Sequence, residues 1–418
     1  MTSTSAAHPP RLLTNGTIHS PSEPYADAML VEDGLIAWVG SDETAAERRD
    51  PDLVIHDLDR ALVTPAFVGW VELTAPEAAD PAAPGSAEHT PWSERITAAL
   101  DEAAAQGCGA VRLSVEFSSS ALSDAEAAQE SLNAAFRAAA EHGVRAYPVL
   151  ALTGLDELSV ADRLDAVRAS SELLRTVDAI LDRPAALELP AGEILEQLLG
   201  IRLAAAQAQR QLILRVDQDT TASTVVTALV DTTAEMRSKR QSPPGGLPTV
   251  LHGFDSASRE DWESLLNTGA QVVLRGAGHL ATALSVGVPV SAVAEAGQSP
   301  WSTVSAHVHH PSDPVSVRAG FNAQTRGAYR SLPESSGTPV TSAQLDPGAR
   351  ASYAIWEVDS LAVQTPDSRT AAWSTDVRAR TPLLPYLDGQ TLPRLISTVI
   401  DGVEVAPSDP RAEPASQR

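Results

Sequence analysis

The sequence predicts an α/β protein: a (β/α)8 TIM-like barrel with a small β-sandwich domain built from both termini. Three observations predict it. Strand-length apolar runs alternate with helical patterns through the middle of the chain, which is the signature of βα units and a parallel sheet. Those runs number eight, as many as a closed barrel needs. Asp-Gly pairs flanked by apolar alternation mark hairpins near both ends, because both central residues of such a turn must adopt positive φ. At 418 residues the chain holds a barrel of roughly 250 residues and an appended domain.

Taken in order, residues 11–63 are short alternating runs broken by Asn15-Gly16 and Asp33-Gly34. Barrel strands are expected at 62–73, 110–115, 144–151, 185–189, 211–216, 249–252, 271–274 and 288–293. Ser123-Asp-Ala-Glu126 and Ser159-Val-Ala-Asp162 each offer a hydroxyl N-cap with an acid three residues later. Ala-rich stretches such as 132–140 then propagate a helix at little entropic cost. A further strand follows the turn at Asp346-Pro-Gly, and a hairpin surrounds Asp401-Gly402. The expected domains are 10–60 with 343–406 as the composite β-sandwich and 61–342 as the barrel, with tails at 1–9 and 407–418.

Composition narrows the function. With 54 acidic against 30 basic residues, the surface repels phosphate backbones and anionic membranes, so neither nucleic acid nor a membrane is an expected partner. No run of 18 apolar residues occurs, and Met1 to Pro10 lack a basic region followed by an apolar one. A cytoplasmic protein is expected. The single Cys108, between Gly107 and Gly109 before an apolar run, reads as a buried thiol.

Chemistry in such barrels sits at the carboxyl ends of the strands. The first strand reads Thr64-Pro-Ala-Phe-Val-Gly-Trp70-Val-Glu72-Leu-Thr74. It resembles the first barrel strand of the amidohydrolase superfamily, with Trp70 and Glu72 where that superfamily carries two metal-binding histidines. Thr249-Val-Leu-His252-Gly253 matches the strand-six histidine of the same superfamily, and residues 299–327 look like the tail of actinobacterial amidohydrolases of the family 3 type. The resemblance runs from Leu12 to about Val405. It implies a barrel with a terminal β-sandwich, and a metal-dependent hydrolase of carbon-nitrogen bonds other than peptide bonds.

The implied metal ligands are mostly missing. Arg215 stands where the resemblance places the strand-five histidine, and Val293 or Ala294 stands at the strand-eight aspartate, with Glu295 one step beyond. The only lysine, Lys239, lies in a polar loop segment and cannot bridge metals from a barrel strand. A tryptophan cannot ligate a divalent cation, and a guanidinium only donates. The candidate catalytic residues are therefore His252, Glu72 and Asp217, in a pocket with Trp70, Glu116, Glu188, Arg215, Arg275 and Glu295. No cofactor is expected; the alternative is one zinc or manganese ion on His252 with Glu72 and Glu188.

Removing a dication from a cage of acids leaves repulsion, which Arg215 could relieve by pairing with Glu72 or Asp217. Two functions follow: a hydrolase with a reduced metal site, or an inactive relative that binds a small ligand or a partner chain. A homo-oligomer is compatible with either. His307, His309 and His310, within the family-like tail, read as structural.

Overall fold

In the computed structural model, residues 9–48, 50–76, 91–217, 220–241, 247–294, 296–333, 343–364, 373–374 and 381–407 are described. Eight parallel strands form the central sheet: Phe67–Thr74, Cys108–Ser118, Arg145–Thr153, Ala186–Pro190, Gln211–Arg215, Val250–His252, Gln271–Leu274 and Val290–Ala292. They are hydrogen-bonded in chain order, strand one and strand eight lying at the two ends of that order. Trp70, Val149, Ala186, Ile213, Val250, Val273 and Val293, from seven different strands or strand ends, pack into one buried cluster. Only a sheet curled on itself brings those inward positions together, so the sheet is a barrel.

Period-two alternation decides which side chains enter the lumen. Leu187 and Leu189 of strand four join the core shared with the outer helices, whereas Ala186 packs inside the barrel and Glu188, of the same parity, is fully buried. The strand-to-strand register pairs Trp70 with Arg112, Glu72 with Ser114, Arg215 with His252, and His252 with Val273. Trp70, Glu72, Ser114, Glu188, Arg215 and His252 thereby share one face and one end of the sheet.

Helices separate the strands and bury their apolar stripes against the sheet. Helix Ala125–Glu141 turns Leu132, Ala135, Phe136 and Ala139 inward. Its N-cap is Asp124, which accepts from the Ala127 N–H, and not Ser123, which lies in a short 3-10 turn. Ser159 does cap helix Val160–Leu181, accepting from the Asp162 N–H. Helix Arg259–Leu265 starts with a reciprocal capping box between Ser258 and Asp261.

The run expected as one strand at 62–73 is two. Leu62–Pro65 belongs to a terminal sheet and Phe67–Thr74 to the barrel, with buried Ala66 between them. The terminal sheet orders Thr17–Ile18, Leu62–Pro65, Tyr353–Glu357, Arg394–Ile400 and Val403–Pro407, so both chain ends contribute. A second sheet of Leu35–Gly40, Ala28–Glu32, Arg11–Thr14 and Val54–Asp57 packs on it through Leu13, Met29, Val31, Val63, Tyr353 and Val399. Both Asp-Gly hairpins form, with Asp33 at φ 50° and Asp401 at φ 50°. Helix Pro300–Val308 contains His307. The tails lie outside the described residues except for Pro9 and Pro407, as does Glu295.

Candidate functional site

The carboxyl end of the barrel holds a cavity of about 760 Å3 whose wall includes Trp70, Glu72, Asp217, His252, Asp255 and Arg275. One wall residue, His252, forms a buried dyad with Glu188. The His252 Nδ1 lies 2.9 Å from Glu188 Oε1, and both side chains are 1% exposed. Ser114 Oγ donates to the other Glu188 oxygen at 3.0 Å. Burial alone pushes the Glu188 carboxyl upward. The hydrogen bond and charge of His252, the charge of Arg215 and the Ser114 hydroxyl outweigh it and hold the group below the usual carboxylate range.

Trp70 lies stacked on the His252 ring. Behind the indole, the Arg112 guanidinium sits 5.3 Å from the Trp70 ring centroid. Arg112 is buried at 1% exposure, donates to Gln211 Oε1 at 2.9 Å and to the Ser331 carbonyl, and adds a positive charge to the lumen. Burial lowers its pKa to about 10, against the opposing charge of Glu188. The column from Arg112 through Trp70 and His252 to Glu188 thus places a cation and an anion in one buried stack.

Nearer solvent, two arginines hold the remaining acids. Arg215 donates to Glu116 at 3.1 Å and approaches Asp217 at 3.4 Å. Arg275 pairs with Glu72 at 3.1 Å, and its backbone N–H binds Asp255. Burial raises the Asp255 carboxyl despite those donors. Of the two partners expected for Arg215, Asp217 lies beside it and Glu72 does not: Glu72 turns to Arg275, and Arg215 takes Glu116 as well.

Of the sequence candidates, Trp70, Glu72, Asp217, His252 and Arg275 line the cavity. Glu188, Glu116 and Arg215 meet them from the same strand ends through the contacts above. Glu295 lies outside the described residues. The positions after strand eight, Val293 and Ala294, put apolar surface on the cavity wall. Sequence reading missed Arg112 and Asp255. Arg112 had a signal: a charged residue inside the apolar run 110–115, in phase with Ser114 and Glu116.

Solved structures share this architecture. A triazine hydrolase from Arthobacter aurescens superposes with a TM-score of 0.63 at 16% identity, covering 96% of this chain and 95% of that one. The E. coli guanine deaminase gives 0.59 at 15% identity, covering 96% and 100%. An adenosine deaminase from Xanthomonas campestris with bound zinc gives 0.60 at 14% identity, covering 94% and 92%. The chain has the amidohydrolase fold. No family model matches its sequence, and no curated protein does.

One of these solved structures holds zinc, and few donors here could do the same. Among the described residues Glu72, Glu188 and His252 form the group whose ligand atoms lie within 4.8 Å of one another. They do not fit a two-metal centre, which needs more donors than a single imidazole and two carboxylates. For one ion both carboxylates are already engaged, while the His252 Nε2 is not. Glu188 accepts from His252 and Ser114, and Glu72 is paired with Arg275. What the arrangement leaves open is two nitrogens: His252 Nε2 and Trp70 Nε1 are buried with no hydrogen-bond partner.

Proposed function

We propose that this chain is an amidohydrolase-superfamily protein whose barrel mouth binds a small molecule with a carbon-nitrogen bond, and that metal-dependent hydrolysis there is weak or lost. The observation that carries the reading is the pair of orphaned nitrogens on Trp70 and His252, two residues of the cavity wall. Buried polar groups nearly always have partners, and two unpaired ones beside a cavity ask for a ligand. Their chemistry is complementary. The indole N–H only donates, while in its neutral form an imidazole that gives Nδ1–H to Glu188 presents Nε2 as an acceptor. A ligand carrying a carbonyl next to an N–H, such as a cyclic amide or ureide, answers both. The related structures are named as a triazine hydrolase, a guanine deaminase and an adenosine deaminase, and guanine carries a carbonyl next to an N–H.

The test combines metal content with ligand binding. Plasma mass spectrometry of the purified protein should find substoichiometric transition metal, and chelator should leave Tm unchanged. Hydantoin should raise Tm, and an N-methylated hydantoin should do so far less. Stoichiometric zinc, iron or manganese that chelator removes with a fall in Tm would overturn the reading.

A second reading is a single-metal hydrolase of non-peptide carbon-nitrogen bonds, and it is favoured by the proximity of Glu72, Glu188 and His252. It expects zinc or manganese to raise Tm by mass action and His252→Ala to abolish the effect.

A further inference from the structure

At the opposite end of the barrel, where strands three and four begin, a cavity of about 310 Å3 opens between Arg145, Arg183, Tyr147, Arg350 and Asp401. It lies away from the mouth described above, among the amino-terminal strand ends and the second Asp-Gly turn. Three guanidiniums and one carboxylate line it, in a chain whose net charge is −24. Asp401 accepts from Arg145 Nη2 at 2.8 Å and from Arg350 Nη1 at 3.0 Å, so two of the arginines share a single acid. Arg183 gives Nη1 to the Ala146 carbonyl at 3.2 Å and stands 5.4 Å from the Tyr147 ring centroid. Burial, and then the like charges of Arg145 and Arg350, lower the Arg183 pKa against the pull of Tyr147 and Asp182. The cavity therefore gathers three guanidiniums around one carboxylate of its own lining, with Asp182 beside Arg183.

We propose that this cavity is a phosphate-binding site, taking a free phosphate or the phosphate group of a small metabolite. Guanidinium forks match the spacing of phosphate oxygens and bind them through paired, charge-assisted hydrogen bonds. The lining carries a surplus of two positive charges, and a phosphate monoester brings about −1.5 to −2 at neutral pH, so the two offset each other. Ile180, Leu181 and Ile400 supply apolar wall beside the arginines, room for an organic group attached to the phosphate. The acidic balance of the chain as a whole disfavours polyanions such as nucleic acid.

Calorimetric and thermal-shift titrations with inorganic phosphate and with glycerol 3-phosphate, at ionic strength held constant with sodium chloride, test it. Saturable binding is expected, weakened at least tenfold by Arg183→Gln and by Arg350→Gln. The second variant replaces a half-exposed arginine, so it keeps the test decisive if the first fails to fold. Arg259→Gln, which removes an exposed charge paired with Glu263, should titrate like the parent. Tighter binding of glycerol 3-phosphate identifies a phosphorylated metabolite as the ligand, and equal binding a free phosphate. His252→Ala should leave both titrations unchanged, which separates this site from the barrel mouth. Phosphate acting no better than chloride, or both arginine variants binding like the parent, would end the proposal.

Discussion

Trp70 lies face to face with His252, ring centroids 3.5 Å apart and planes 18° from parallel. The indole occupies the strand-one position whose resemblance called for a metal-binding histidine, and it covers the imidazole that remained. It also packs with Val149, Ile213, Val250 and Val273 in the lumen, so it is core as well as cavity wall.

Trp70→Ala should therefore lower stability by about 3–5 kcal/mol, the range for large aromatic truncations in a packed interior. Urea unfolding at neutral pH measures it. A loss below about 1 kcal/mol would mean that the lumen collapses around the gap and that the stack holds nothing in place.

Arg275 neutralises Glu72 at the mouth. If a guanidinium has taken over the counter-ion role of a metal, then removing it should return the acids to divalent cations. Arg275→Met is expected to show a larger Tm rise with zinc or manganese than the parent does. Identical metal responses in the two proteins would count against that electrostatic exchange.

Glu188 is a buried carboxylate whose pKa is held below its ordinary value in the folded state. A depressed carboxyl stabilises the fold above the unfolded-state value of about 4.3, and that contribution disappears as pH falls through the lower folded value. Glu188→Gln should thus cost about 3 kcal/mol at pH 7, because it removes the buried carboxylate that partners His252 and faces the charge of Arg215. The difference from the parent should shrink below about pH 4. A pH-independent difference would assign the loss to packing alone.

His19 and His307 are buried, and burial is the largest cause lowering each to a pKa of about 4. Unfolded histidine titrates near 6.5, so the unfolded state takes up protons first as pH falls. The stability that neutral burial provides is complete above about pH 6.5 and is lost progressively down to about pH 4, by up to roughly 3 kcal/mol per residue. Denaturant midpoints measured from pH 7.5 to 4 should slope downward, and His19→Asn with His307→Asn should flatten the slope. A parent curve already flat over that range would refute the assignment.

Much of the fold was legible because its signals are local. Asp33-Gly34 and Asp401-Gly402 announce their hairpins through backbone conformations that Asp and Gly tolerate, and both turns form with positive φ. Alternation along each strand tells which residues share a face, and it puts Glu72, Glu188, Arg215 and His252 on one side of the sheet. The break within 62–73 was not legible, since an apolar run reads the same whether one strand or two sheets receive it.

The sequence by itself determined the barrel and the face that most of its mouth residues share, because periodicity two fixes side-chain direction along a strand. Only the tertiary structure decided partnership: that Glu72 pairs with Arg275 rather than Arg215, that Glu188 takes His252, and that Arg112 stands behind Trp70. Those choices depend on distances between strands far apart in the chain and on the curl that brings them together. No local pattern encodes them.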